Sequence, residues 1–213
     1  MQKYISEFIG TFVLLVSIVG SGIAGQQYTN DQMVILVSHA VVIGLTLIFI
    51  IGIFANFSGA HFNPIVSILF FLQKELSKKD LCLFISIQIT AAILGTIFAN
   101  IFGLSIVEIS SNIRSGTNIY ISEIFASFGL LMVILLSKVG GKNIVAFNVG
   151  IYITAAIIFT SSASFANPAV SIARIFTESF AGINPSTVIF FIGSQVIGMF
   201  GAYFLYNRLF KTK

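Results

Sequence analysis

Scarcity of charge constrains this chain more than any other feature: its 213 residues include 11 Lys and Arg and 7 Asp and Glu, 8% in all. A soluble globular domain is about a quarter charged, because its surface must face water. So few ionic side chains cannot cover a water-facing surface, and the outside of this protein is expected to face lipid. Hydrophobic residues make up 57%, with a mean hydropathy of +1.03. A helical crossing needs ~20 mostly apolar residues, so the chain holds about six to eight crossings at most. With 23 Phe, 6 Tyr and no Trp, only tyrosine can supply an amphipathic ring at headgroup level.

The net charge of +4 does not make a nucleic-acid face, because the basic residues sit in short links and at the chain end, where they set topology. The lone Cys82 excludes an internal disulfide, and the two isolated histidines offer no metal-ligand spacing, so no metal or cofactor is expected. The first apolar run, Tyr4–Ile23, carries Glu7 and continues as a full span, unlike a cleavable signal peptide.

Six apolar stretches are long enough to cross as helices: Tyr4–Gly25, Met33–Ala55, Leu81–Leu104, Ile119–Lys138, Ile144–Ser161 and Ser186–Asn207. Two shorter pieces remain, Pro64–Gln73 and Pro168–Thr177, which reach only half way across a bilayer. Each follows Asn-Pro, a helix N-cap with proline at the first helical position. They read as half-helices entered from opposite sides. With the N-terminus inside, Lys3, Lys74, Lys78, Lys79, Lys138, Lys142, Arg208, Lys211 and Lys213 all fall on the inner side, against Arg114 and Arg174 outside. Both termini are therefore expected in the cytoplasm.

The halves echo each other. Glu7 opens SEFIGTF and Glu123 opens SEIFASF; HFNPIVSI at His61–Ile68 matches FANPAVSI at Phe165–Ile172; and IQITAAILG around Gln88 resembles SQVIGMFGA around Gln195. Three spans per half is an odd number, so the second copy must be inverted. Inverted repeats with one interrupted segment each place a solute path where the broken elements meet at the midplane. The repeats cover approximately residues 1–104 and 117–213 of a single membrane domain.

Paired Asn-Pro motifs in an inverted 3+3 repeat, each half opening with a glutamate, resemble the aquaporin, or major intrinsic protein, family over essentially the whole chain. SGAHFNPIVSI is close to the family's first motif, with Asn63, Pro64 and Ile65 where alanine is usual; FANPAVSIAR carries the second intact as Asn167, Pro168 and Ala169. The resemblance implies an all-α membrane protein, an aquaporin-like bundle of six transmembrane helices plus two re-entrant half-helices. It also implies a passive channel rather than an enzyme, in a bacterial-type inner membrane. Its partners would be lipid, small neutral solutes and, by family habit, three further copies in a homotetramer.

The role of these residues also follows from physics. Each half-helix N-terminus carries roughly half a positive elementary charge, so two facing ones make the centre repel cations. Asn63 and Asn167 cap their helices and would offer amide N–H groups to a solute oxygen. Intramembrane Glu7 and Glu123 are expensive without partners. The resemblance implies that they accept hydrogen bonds from the half-helix loops, a reading favoured over proton carriers. Gln88 and Gln195 are expected to satisfy the same loops. His61 is expected to pack in its loop rather than gate by pH, and His39 to sit near the interface rather than line the outer mouth.

Family members commonly place arginine directly after the second Asn-Pro-Ala; here that position is Val170. Arg174, four residues later, would anchor an outer loop or pair with Glu178, its i+4 neighbour. Counting from the motifs places the other filter positions at Ile43, Ser164 and Ala155, with Ile157, Ile158 and Phe159 as alternatives to Ala155. A ring without arginine predicts a wider, less polar gate that passes glycerol, urea or neutral metalloid hydroxides as well as water. NPAV in place of NPAR also resembles a bacterial subgroup associated with trivalent arsenic efflux. The rival reading is a coupled secondary transporter using Glu7 and Glu123, which shares inverted repeats and broken helices. A membrane enzyme would need a nucleophile–base pair, metal cluster or phosphate loop, and the sequence offers none.

Overall fold

A computed structural model of the chain describes residues 1–103 and 105–210. The expected end of the third span at Leu104, and the basic Lys211 and Lys213, lie outside the described residues. In order, the α-helices are α1 (Gln2–Tyr28), α2 (Gln32–Phe54), α3 (Pro64–Leu72), α4 (Lys78–Asn100), α5 (Thr117–Ser137), α6 (Lys142–Phe159), α7 (Pro168–Ala173) and α8 (Pro185–Leu209). No strand interrupts them among the described residues.

Six of the helices are long and apolar enough to cross a membrane. The other two, α3 with 9 residues and α7 with 6, fall well short of a crossing. Local chemistry sets the starts. Asp31 caps α2 by accepting from Met33 N and Val34 N, Ser77 caps α4 from Asp80 N, and Asn184 with Pro185 opens α8.

The second half-helix is shorter than the expected Pro168–Thr177: after Ala173 it tightens into a 3-10 turn, Arg174–Phe176. The cause is competition for its carbonyls. Ile183 N takes Arg174 O at 3.2 Å, Ser110 N takes Ile175 O at 2.8 Å, and Asn100 Nδ2 takes Phe176 O at 2.8 Å. Asn100 also donates to Ile106 O, so one side chain ends α4 and fastens it to the second half-helix.

The helices pair as α1 with α4, α5 with α8, and α2 with α6. Small residues allow these approaches, the usual device where lipid provides no hydrophobic drive between helices. A Cβ on Gly95 would lie 2.6 Å from Phe12 O of α1, and one on Gly198 would collide with Ile124 O of α5. The polarity is inverted relative to a soluble protein. Leu45, Phe49, Ile189 and Phe204 are each more than 60% exposed, while Glu7, Gln88, Glu123 and Gln195 are fully buried. Lys3 pairs with Asp80 at 2.8 Å, tying the start of α1 to the start of α4. The first residue and the 73–77 link therefore share one side, and six crossings return residue 210 to it.

Helix approach can be tested directly. Gly95→Leu is expected to lower stability by about 1–3 kcal/mol through overpacking, read as a lower thermal-unfolding midpoint in detergent. Gly52→Ala, where a Cβ meets nothing within 4 Å, is expected to change stability by no more than about 0.5 kcal/mol.

Candidate functional site

The two half-helices meet end to end, and their caps interlock. Asn63 Oδ1 accepts from Ile65 N at 3.0 Å, while its Nδ2 donates to Ala166 O at 2.8 Å. Asn167 Oδ1 accepts from Ala169 N at 3.0 Å, and its Nδ2 donates to Phe62 O at 2.9 Å. Each asparagine thus caps its own helix and ties down the other's loop. An amide nitrogen has two donors; one is used here, which leaves each asparagine a single N–H for a solute.

Both loops are held from behind by a carboxylate. Glu7 Oε1 accepts from Ser58 Oγ at 2.7 Å and His61 N at 2.9 Å; its Oε2 accepts from Phe62 N and Gln88 Nε2, both at 2.8 Å. Glu123 accepts from Phe165 N at 2.9 Å, Ala166 N at 3.0 Å and Gln195 Nε2 at 2.7 Å. Gln88 and Gln195 extend the frame to Ser67 Oγ and Ser171 Oγ in the first turns of α3 and α7. They reach the glutamates and these serines, not the loop backbone itself. Neither Glu7 nor Glu123 lines the cavity described below.

This fixing supports an unusual backbone. Ala60, Phe62, Ser164 and Ala166 all have positive φ, at 54°, 49°, 45° and 46°. Such left-handed non-glycine residues cost of order 1 kcal/mol each and persist only where surroundings enforce them. The loop N–H groups are spent on Glu7, Glu123, Ser58 and Ser162. The carbonyls of residues 59–61 and 163–165 accept no hydrogen bond among the described residues. These six residues line the cavity, so their carbonyls are left to serve whatever enters it.

The cavity holds about 290 Å³. At the end near the chain termini it is bordered by Glu75, Lys138 and Lys142; it passes Asn63 and Asn167 and reaches Arg174 at the other end. Lys138 Nζ pairs with Glu75 at 2.6 Å, and Lys142 Nζ bonds Asn56 Oδ1 at 2.9 Å.

Among the expected filter residues, Ile43, Ser164 and Val170 line the cavity. Ala155 does not: it is exposed on the outer face of α6, beside Tyr152 and Gly129. Ile157, with Ile153 one turn earlier, supplies the α6 wall instead. The residue two places from Ala155 lies on the opposite side of a helix with 3.6 residues per turn, so a two-residue count error reverses the face. Ile158 and Phe159 also point outward.

Pro64 and Pro168 occupy first helical positions, and Ile65 and Ala169 donate N–H groups to the caps; the side chains of all four are buried away from the cavity. Sequence reasoning missed Val66, which lines the cavity as Val170 does. Its signal was available, since both follow their asparagine by three residues.

His61 is buried, with Nδ1 3.0 Å from Ser67 Oγ and its ring 4.6 Å from that of Phe70, in a packed loop whose surface also borders the cavity. His39 does not line the cavity; it is buried between helices, with Nδ1 2.8 Å from Ser21 Oγ of α1. Arg174 makes no ion pair with Glu178. Its Nε donates to Ala181 O in the outer loop, and its guanidinium lies 3.4 Å from the centre of the Phe165 ring. Glu178 is occupied by Ser111, whose hydrogen bonds hold the carboxyl below its usual range.

Removing the frame behind a loop should show its worth. Glu123→Leu strands the Phe165 and Ala166 N–H groups and Gln195, and is expected to destabilise the protein by about 3 kcal/mol or more, at ~1–3 kcal/mol per buried unpaired donor. Thermal unfolding in detergent measures it; a loss below 1 kcal/mol would mean that the loop holds its shape without the carboxylate.

Known proteins match this arrangement. The profile of the Major intrinsic protein family matches residues 1–164. The aquaglyceroporin AqpS of Rhizobium meliloti (strain 1021) is 38% identical over 198 residues, covering 92% of this chain and 85% of its own. Nodulin-26 of Glycine max is 28% identical over 138 residues, 63% of this chain and 50% of its own. The X-ray structure of the aquaglyceroporin from Plasmodium falciparum superposes with a TM-score of 0.72 at 23% identity, covering 98% of this chain and 96% of that one.

Proposed function

The chain belongs to the major intrinsic protein family, and from that premise we propose that its cavity is a passive path for water and larger uncharged solutes such as glycerol, urea and arsenite-type metalloid hydroxides. The protein is an integral membrane channel and not an enzyme.

One observation carries the solute class. At the middle of the cavity two asparagine amides each keep one free N–H, and two loops present unpaired carbonyls. A small molecule with hydroxyl or amide groups can donate to the carbonyls and accept from the amides as it moves, which replaces its hydration. A cation is disfavoured there by the facing helix N-termini. A proton wire is broken where one water must accept from both asparagines and so cannot accept from its neighbour.

The passive reading is supported by what the carboxylates do. A coupled transporter needs titratable or ion-coordinating groups at the midplane. Glu7 and Glu123 spend their oxygens on loop N–H groups and glutamines, outside the cavity. The wide-gate reading is supported by Ile43, Ile157, Ser164 and Val170 in the wall, none of them charged. AqpS and the Plasmodium protein are both named aquaglyceroporins, consistent with a glycerol-sized bore. The further parts of the proposal are one domain of two inverted repeats, a bacterial-type plasma membrane with both termini cytoplasmic, and a homotetramer.

A permeability panel in proteoliposomes tests the proposal. The native protein is expected to pass water, glycerol, urea and arsenite, without saturation and independently of proton or sodium gradients. Val170→Arg is expected to cut glycerol and arsenite flux at least about tenfold, equivalent to ~1.4 kcal/mol on the barrier, and to cut water flux less. Unchanged glycerol and arsenite flux in that variant rules out a gate set at position 170.

A further inference from the structure

Position 170 carries no charge, yet the same end of the cavity is not neutral. Arg174 follows α7 on the 3-10 turn, with its backbone N–H bonded to Val170 O. It is 3% exposed and lines the cavity. Its Nε is used on Ala181 O and its flat face on the Phe165 ring, while its two terminal amino groups bond nothing among the described residues.

No carboxylate forms an ion pair with it among the described residues; the Glu123 charge behind the loop acts on it only from a distance. Among the described residues the ion pairs are Lys3 with Asp80 and Lys138 with Glu75, both near the chain termini. Glu178 is held by Ser111, and Glu123 by Phe165, Ala166 and Gln195. A second positive charge is close by: Arg114 lies 5.5 Å from the same Phe165 ring and donates to Phe180 O and Gly182 O. A guanidinium does not lose its proton in a protein. A buried, unpaired charge is costly unless something polar reaches it, and the cavity is the remaining source of acceptors.

A second observation comes from another residue. Ser164 Oγ is buried, has no hydrogen-bond partner, and belongs to the same cavity wall. An unpaired hydroxyl and the unbonded amino groups of a guanidinium on one cavity wall make a place for a solute oxygen.

We infer that Arg174, rather than the residue at 170, selects by charge in this channel: its guanidinium repels cations and, with Ser164 Oγ, binds the oxygen of a passing neutral solute. This rests on the reading of the cavity as the conducting path. Width and charge are then set by different residues, so a bore open enough for glycerol still rejects sodium and protons.

The test measures sodium leak normalised to glycerol flux in proteoliposomes of the native protein, Arg174→Lys, Arg174→Gln and Val170→Glu. Neither substitute can bond Ala181 O, lie flat on Phe165 and keep further donors free at once, so loss of a merely anchoring role disturbs both. Charge selection separates them: the Gln variant is expected to leak at least about tenfold more than native, and the Lys variant to stay within about threefold of it. Val170→Glu leaves the anchors of Arg174 intact and sets a carboxylate one turn away, where i,i+4 side chains meet; its leak is expected to match that of the Gln variant. A Gln variant as tight as native, or a Lys variant as leaky as Gln, overturns the inference. If the proteins altered at 174 do not reconstitute, a tight Val170→Glu does so. Native vesicles that pass no glycerol overturn the passage reading itself, a result seen before any variant is made.

Discussion

Two hydrogen bonds, Asn63 Nδ2 to Ala166 O and Asn167 Nδ2 to Phe62 O, hold this structure in register. Non-helical backbone at membrane depth survives only where its polar groups are satisfied or face water. Here each broken segment satisfies the other. Neither loop could take its shape alone, because its key carbonyl needs the other loop's amide. The exchange also fixes the distance between the two helix ends, and with it the place where both positive dipole ends act on a solute.

That exchange needs loops stiff enough to present atoms at fixed points. Glu7 and Glu123 provide the stiffness, each gathering consecutive loop N–H groups onto one carboxylate and bracing itself through a glutamine to a serine in the half-helix. The positive φ values at Ala60 and Phe62 recur at Ser164 and Ala166, each pair one and three residues before its asparagine. Donors are drawn to the back of the loop and acceptors are left for the front. A chain with 8% charged residues thus buries two of its carboxylates to polarise a path rather than to carry charge along it.

Much of this is legible in the sequence, because the largest energies leave the plainest marks. Six apolar runs and two Asn-Pro stubs yield the helix order, and the matched Glu, Asn and Gln positions yield the frame. Face assignment within a helix is less legible. On α6 the inward residues Ile153 and Ile157 and the outward Ile151 and Ile158 are chemically alike, since lipid and an apolar channel wall select the same side chains. A count from the motifs therefore reaches Ala155, on the outward face, with no chemical marker to correct it. The early end of α7 is invisible for another reason: it depends on Ser110, Asn100 and Ile183 taking three carbonyls, and the first two reach it from segments far apart in sequence.

The same limit applies to Arg174: it anchors the outer loop as expected, through Nε on Ala181 O, but its place in the cavity wall had no mark in the sequence. It sits one helical turn beyond Val170, with its N–H on Val170 O, and the Ala181 O contact holds its side chain over Phe165, at the cavity wall. Arginine suits that position through its planar form: it can lie on an aromatic face, bond a loop carbonyl through Nε and still have donors to spare, whereas a lysine has one compact ammonium for all three tasks. Valine at 170 removes bulk from the wall without removing charge from the passage. Loss of the arginine directly after Asn-Pro-Ala is therefore a change in bore, and the electrostatics of the outer half are set by how the chain folds after the motif.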